Sequence, residues 1–147
     1  METEIINTVK NLFSGADERD WGKVQATLAD EVLLDYSALS GSPASTLTPG
    51  EIITAWKGLL PGFDRTHHQP DYFTVKEDDD KAIVHYFAKA DHFLGNDTWT
   101  VEANYDTKLE KAKDGWKITS HRIFNVKQSG NTALPAKAME VVKNKRV

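Results

Sequence analysis

The chain has no cysteine, which removes disulfides, thiolate nucleophiles, iron–sulfur clusters and cysteine-ligated zinc together. It has no apolar run near the roughly 20 residues that a membrane-spanning helix needs. The start Met1-Glu2-Thr3-Glu4 lacks the basic opening and apolar core of a signal peptide. A cytoplasmic, unexported protein without a membrane partner is the expectation. A Gly-rich phosphate loop, a Gly-x-Ser-x-Gly elbow, a dinucleotide fingerprint and a His-Glu-x-x-His motif are also missing, so phosphoryl transfer, serine hydrolysis and nicotinamide chemistry lose their usual support. No cofactor and no metal is expected. Positive charge is scarce where it would matter for nucleic acid. Lys127, Lys137, Lys143, Lys145 and Arg146 oppose only Glu140 in the last 21 residues, leaving the first 126 at a formal −8. So acidic a body is a poor match for phosphates.

What is present is one domain's worth of chain: 147 residues, 39% hydrophobic and 27% charged. About two-thirds of the surface of such a chain leaves water on folding, enough for one core and an internal pocket. Ile5, Ile6, Val9, Leu12 and Phe13 recur at the helical period, and Ser14-Gly15 reads as the helix end. Asp20 can cap a second helix that buries Trp21, Val24 and Leu28. Val32 to Tyr36 reads as a short strand. Thr48-Pro49-Gly50-Glu51 opens a third helix with a capping box and an N1 proline. Pro61-Gly62 stops it.

From Tyr72 the period changes to two. Turn clusters Asp78-Asp79-Asp80, Gly95-Asn96-Asp97 and Lys113-Asp114-Gly115 divide this half into strands Tyr72–Glu77, Lys81–Leu94, Thr98–Ala112 and Trp116–Val126. The fold class is α+β: three N-terminal helices packed on a strongly curved, mainly antiparallel sheet that encloses a pocket. Residues 1–126 form this domain. Residues 127–147 form a basic tail in which Leu134, Ala138, Val141 and Val142 can make a short helix over the pocket, or which stays frayed.

Along Lys81–Leu94, Val84, Tyr86, Ala88, Ala90 and His92 share one face, with Ile83, His85 and Phe87 on the other. His92 therefore ends an apolar face, either as a wall residue held by one hydrogen bond or as a general acid/base. Of the adjacent His67 and His68, only one can face a pocket. Trp56, Phe63 and Tyr86 are the aromatic candidates for its substrate-binding lining. Ile83, Phe87 and Phe93 mark the opposite face as a contact surface, and a homo-oligomer, dimer or trimer, is expected.

The segments Asp17-Glu18-Arg19-Asp20-Trp21, Leu28 to Tyr36 and Asp114-Gly115-Trp116-Lys117-Ile118 resemble the SnoaL-like branch of the nuclear transport factor 2-like superfamily, and within it the scytalone dehydratase family. The resemblance spans residues 5–126. It implies a cone-shaped fold and a cofactor-independent lyase or isomerase acting on a small cyclic or aromatic hydroxy-ketone. Asp17, Tyr36, His68 and His92 match catalytic positions, and Asn104 matches a pocket asparagine. On that basis Asp17 would orient His92 as the base, His68 would protonate a departing hydroxyl, and Tyr36 and Asn104 would support the enolate oxygen. Ala16 stands where the family has a second tyrosine, and Glu102 where it has a serine. Glu102 is either a further pocket group or part of a polar face with Thr100, Asn104, Asp106 and Lys108. The same fold also serves noncatalytic binding of an apolar metabolite and partner-subunit roles.

Overall fold

The computed structural model describes residues 2–145. Helix α1 (Glu2–Glu18) buries Ile5, Val9, Leu12, Phe13 and Ala16. It does not stop at Gly15. A Cβ on Gly15 would lie 3.0 Å from a Val24 methyl, so this glycine admits α2 (Trp21–Thr27) rather than ending the helix. The helix instead ends one turn later: Asp20 N–H donates to Gly15 O and Arg19 N–H to Ala16 O, the Schellman pattern. Asp17 consequently lies in the last helical turn and not in a loop. Asp20 then caps α2, its carboxylate accepting from Lys23 N–H at 3.1 Å.

Strand β1 (Leu28–Asp35) starts four residues earlier than its apolar run suggests. A one-turn helix α3 (Ser37–Ser40), a short strand β2 (Ser45–Leu47) and α4 (Pro49–Lys57) follow. The expected capping box of α4 is complete, with Glu51 N–H on Thr48 Oγ1 at 3.2 Å and Thr48 N–H on Glu51 Oε1 at 3.0 Å. A 3₁₀ turn, Leu60–Gly62, leads into β3 (Arg65–Asp78), β4 (Lys81–Leu94), β5 (Asp97–Ala112) and β6 (Gly115–Gly130). The sheet order is β2-β1-β6-β5-β4-β3, antiparallel except for β1 beside β6. The α+β class is as expected, with helices packed on an open, curved sheet. Register breaks between Asp71 and Thr74 and between Glu102 and Asn104 mark bulges. Tyr72 and Asn125, both at positive φ, sit at those breaks. Bulges bend long strands, and these curl the sheet around α1.

The third predicted helix ends at Lys57, before Pro61-Gly62, and two strands extend well beyond the sequence reading. β3 begins at Arg65 rather than Tyr72, because Thr66, His67 and His68 pair with His92, Asp91 and Ala90. β6 runs past Val126, with Lys127 opposite Glu102 and Gly130 opposite Trp99. The last described helix, α5 (Leu134–Lys145), buries Leu134, Ala138 and Val142. It packs on the 3₁₀ turn behind the pocket wall instead of lining the pocket. Arg146 and Val147, at the end of the predicted tail, lie outside the described residues.

The α5 contact is close enough to exclude a side chain. A Cβ on Gly62 would fall 1.9 Å from the Ala138 carbonyl oxygen, and backbone cannot yield as a flexible side chain does. Gly62→Ala is expected to cost about 1–3 kcal/mol by overpacking and to lower Tm by about 3–10 °C in a thermal melt. Gly50→Ala, in the first turn of α4 with only ordinary contacts, is expected to leave Tm unchanged or slightly raised. Equal melts for the two variants would refute the close docking of α5.

Candidate active site

The curled sheet, α1, α3, α4 and the 3₁₀ turn enclose a cavity of about 230 Å³. Phe13 and Ala16 of α1, Tyr36, Leu39 and Ser40 around α3, and Trp56 of α4 supply one side. His68, Ala90, His92, Trp99, Val101 and Tyr105 from the sheet supply the other. Apart from the two histidines, no ionisable acid or base of the Asp, Glu, Lys or Arg type lines it.

Asp17 is the centre of the polar end. Its Oδ1 lies 2.6 Å from His68 Nδ1 and accepts from Thr66 Oγ1 at 2.9 Å, while Oδ2 accepts from His68 N–H at 2.8 Å. Burial alone would raise the Asp17 carboxyl, but the His68 ring and amide and the Thr66 hydroxyl together outweigh it and hold the group below its ordinary value. A carboxylate only accepts, so His68 Nδ1 carries the shared hydrogen. In the neutral ring Nε2 is then the nitrogen with a free lone pair. This corrects the expected pairing of Asp17 with His92: once α1 continues to Glu18, Asp17 meets the start of β3 instead.

His92 is 5% exposed, its ring centroid 5.7 Å from that of His68 and nearly perpendicular to it. Its Nδ1 lies 2.9 Å from the Trp99 carbonyl oxygen. A carbonyl cannot donate, so Nδ1 bears the hydrogen and Nε2 is the acceptor. Burial depresses the ring to about 4, with the Trp99 carbonyl offsetting only part of the cost. His92 is therefore a neutral acceptor near pH 7, not a strong base. Phe63 packs on it at 5.0 Å.

The remaining candidates divide. Tyr36 and Trp56 line the cavity, and burial raises the Tyr36 phenol far above its ordinary value, keeping it protonated. Phe63 backs the wall behind His92. Tyr86 lies one layer deeper: it stacks on Tyr105 and Phe73 at 5.2 and 5.3 Å, and its hydroxyl is 2.7 Å from Thr107 Oγ1. Glu102 and Asn104 are on the opposite face of β5. Trp99, Val101, Ala103 and Tyr105 are buried inward, and strand alternation sends the intervening residues outward. Asn104 Oδ1 there accepts from Asn125 Nδ2 at 3.3 Å, and Glu102 is placed opposite Lys89 and Lys127.

Sequence reasoning passed over Trp99 and Tyr105, although their alternation with Val101 and Ala103 carries the same signal that marked His92. It also gave no role in the fold to His121, which is wholly buried with Nδ1 2.9 Å from Thr107 Oγ1 and Nε2 unpartnered. Burial pushes His121 down to about 3. Among the described residues, no group of three or more His, Asp or Glu side chains is arranged to hold a metal ion. No described helix is long and apolar enough to cross a membrane.

Residues 1–122 match the family profile of the SnoaL-like domain. The fold is similar to that of the Kfla4162 protein from Kribbella flavida (22% identity, 97% of this chain and 96% of that one, TM-score 0.82). It is also similar to a protein of Novosphingobium aromaticivorans provisionally named a scytalone dehydratase (13% identity, 87% and 85%, TM-score 0.75). A third similar structure is the hexachlorocyclohexane dehydrochlorinase LinA-type3 from Novosphingobium barchaimii (16% identity, 87% and 89%, TM-score 0.71). At these identities the structural likeness carries the fold alone. No curated protein matches the sequence at a significant level.

The two buried histidines make stability depend on pH. Both have folded values below the unfolded value of about 6.5, so their contribution is complete above that pH and is lost as pH falls toward about 4 for His92 and about 3 for His121. At pH 5 each neutral ring costs about 2 kcal/mol relative to the protonated unfolded chain. Tm is expected to fall by on the order of 10 °C between pH 7 and pH 5, with His92→Gln removing about half of the fall. Asp17 adds nothing in this window, because its loss begins only in the ordinary carboxyl range and below. A flat Tm over this range would contradict the neutral burial of both rings.

Proposed function

The chain belongs to the SnoaL-like domain family, and from that premise together with its Asp–His pair we propose that it is a cofactor-independent lyase or isomerase for a small, uncharged cyclic or aromatic hydroxy-ketone. The observation that carries this reading is the 2.6 Å Asp17–His68 pair at the edge of an apolar cavity that also holds His92. Two fold neighbours bear the names dehydratase and dehydrochlorinase, both of which denote eliminations. An uncharged substrate follows from the lining, since a buried charge needs a partner. Apolar cavities of about 150 Å³ accept benzene, so about 230 Å³ suits one or two rings.

In the proposed reaction, His68 Nε2 removes a proton from the carbon next to the substrate carbonyl. Asp17 steadies the imidazolium that forms. The Tyr36 phenol donates to the carbonyl oxygen as its negative charge grows. His68 then returns the proton. Delivered to a β-hydroxyl, it breaks the C–O bond, forms the C=C bond and releases water; delivered to another carbon, it completes an isomerisation. His92 Nε2 accepts a hydrogen bond from the substrate hydroxyl and orients it. Relative to the family-based expectation, His68 keeps the protonation of the departing hydroxyl and takes over the role of base, and His92 holds the substrate.

A screen of aromatic and polyketide-like hydroxy-ketones by thermal shift, with ultraviolet spectra of each hit, tests this. His68→Gln is expected to lower kcat/KM by about 10²–10⁴, and Asp17→Asn, which disturbs the tautomer, by a comparable factor. His92→Gln is expected to raise KM more than it lowers kcat. Ligands that stabilise the wild type and His68→Gln equally, with no spectral change, would replace catalysis by simple binding.

We also infer self-association through the outer face of the sheet. Ile83, Phe87 and Phe93 remain only half-buried there. Beside them His85 Nδ1 is 2.6 Å from Asp106, and the Arg122 guanidinium lies 3.9 Å from both Asp106 and Asp35. Polar groups of this kind at the rim of an apolar patch can pair across two copies. Sedimentation at micromolar concentration is expected to give a dimer or trimer that Phe87→Glu dissociates. A wild-type monomer would overturn the inference.

A further inference from the structure

The residue that ends α1 is unusual for its position. Arg19 occupies the residue just past the helix in the Schellman pattern, at φ 57°. Glycine is the ordinary occupant of that left-handed site, because a Cβ is disfavoured there. Backbone preference therefore does not account for arginine. Its side chain does something else: one guanidinium nitrogen, Nη1, donates to Ala16 O at 2.8 Å and to Thr66 Oγ1 at 2.9 Å, and Nη2 donates to Leu60 O at 2.6 Å.

These bonds run toward the proposed active site. Ala16 and Leu60 line the cavity. Thr66 is 5% exposed, and its hydroxyl touches both Arg19 and Asp17 Oδ1, each at 2.9 Å. Directions follow from the donor inventory. Arginine only donates, so the Thr66 oxygen must accept from it. The single Thr66 hydrogen is then directed at Asp17 Oδ1, the same oxygen that holds His68 Nδ1. The chain of donors is Arg19 to Thr66 to Asp17, with His68 donating to the same carboxylate from the other side.

We propose that Arg19, acting through Thr66, is a positioning residue that fixes the Asp17 carboxylate and thereby the Nδ1–H tautomer of His68. It touches no reacting atom. The proposal rests on the reading of Asp17–His68 as the proton-transferring pair, and it names how that pair is held. The planar guanidinium spans a helix end, a strand and the 3₁₀ turn at once, a geometry that a lysine ammonium does not reproduce.

The substitution Arg19→Gly isolates the side chain, because glycine suits the left-handed backbone. Thr66→Val removes the relay hydroxyl with little change of shape, and Thr66→Ser retains it. In ligand-free protein labelled with ¹⁵N-histidine, long-range proton–nitrogen spectra recorded well above the ordinary histidine range read the His68 tautomer directly. Wild type and Thr66→Ser are expected to show a single Nδ1–H form, and Arg19→Gly and Thr66→Val a mixture. With a substrate in hand, each of the latter two is expected to lower kcat about 10- to 100-fold, with KM changed less than about threefold. The double variant is expected to be no worse than either alone, as for groups acting in one unit. An unchanged His68 tautomer in both Arg19→Gly and Thr66→Val, with only Tm altered, would reduce Arg19 to a structural staple. If the wild type turns over no substrate while the tautomer shifts in the variants, the positioning role stands and the catalytic reading falls.

Discussion

One partly buried carboxylate organises the functional end of this fold. Asp17 accepts three hydrogen bonds, two of them from His68 and one from Thr66. An ionised carboxylate taken out of water needs nearly all of its acceptor sites filled, and here the donors come from the first residues of β3. The end of α1 and the start of β3 are therefore obliged to meet. That meeting brings β3 into register with β4 from Arg65 onward and sets His68 across from the His92 end of β4. The Asp17–His68 pair and the pairing of β3 with β4 share a single contact.

The three inward histidines differ in burial and in what holds Nδ1, and the second difference sorts their uses. His68 faces a carboxylate, which offers a countercharge to an imidazolium. His92 faces a carbonyl, which fixes the tautomer but offers no full charge against burial. His121 faces the Thr107 hydroxyl, which in turn bonds Tyr86. Tyr86 satisfies most of that chain by donating to Thr107 while Thr107 donates to His121. Only His121 Nε2–H is then left over, matching its unpartnered state. A ring so placed belongs to the core, as part of the polar seam under the stacked Tyr86 and Tyr105 and the Phe13 ring set edge-on to them.

Legibility in the sequence followed the strength of local signals. The capping box at Thr48, the turn clusters of Asp78 to Asp80 and Gly95 to Asp97, and the alternation from Lys81 to Leu94 are short-range and unambiguous, and they specified the sheet half and the inward His92. The start of β3 was hidden because His67, Gln69 and Pro70 carry no apolar alternation; those residues are strand because β4 pairs with them. The partner of Asp17 was hidden for a related reason. It depends on α1 continuing past Gly15, and Gly15 looks like a stop until α2 is seen packed against it. Glu102 and Asn104 teach the reverse lesson: the period of β5 alone groups them with Thr100 and Asp106 on the outer face, and family likeness drew Asn104 inward against it.

The cavity follows from what the walls omit as much as from what they contain. Ala16 and Ala90 line it, and each leaves room that a larger side chain would fill. Ala16, next in the chain to Asp17, stands where the family resemblance expects a tyrosine. The missing phenol removes one donor to a substrate oxygen and leaves Tyr36 as the tyrosine hydroxyl nearest the α3 rim, while the space gained enlarges the pocket beside His68. Water excluded from so apolar a lining strengthens every remaining electrostatic contact. With no Lys, Arg, Asp or Glu in the lining, the charge that would develop on a substrate in the proposed reaction is met by the Asp17-backed imidazolium and the Tyr36 phenol. On the proposed reading, the chemistry of this pocket is the movement of a proton within a neutral molecule, with elimination or isomerisation set by where His68 delivers it.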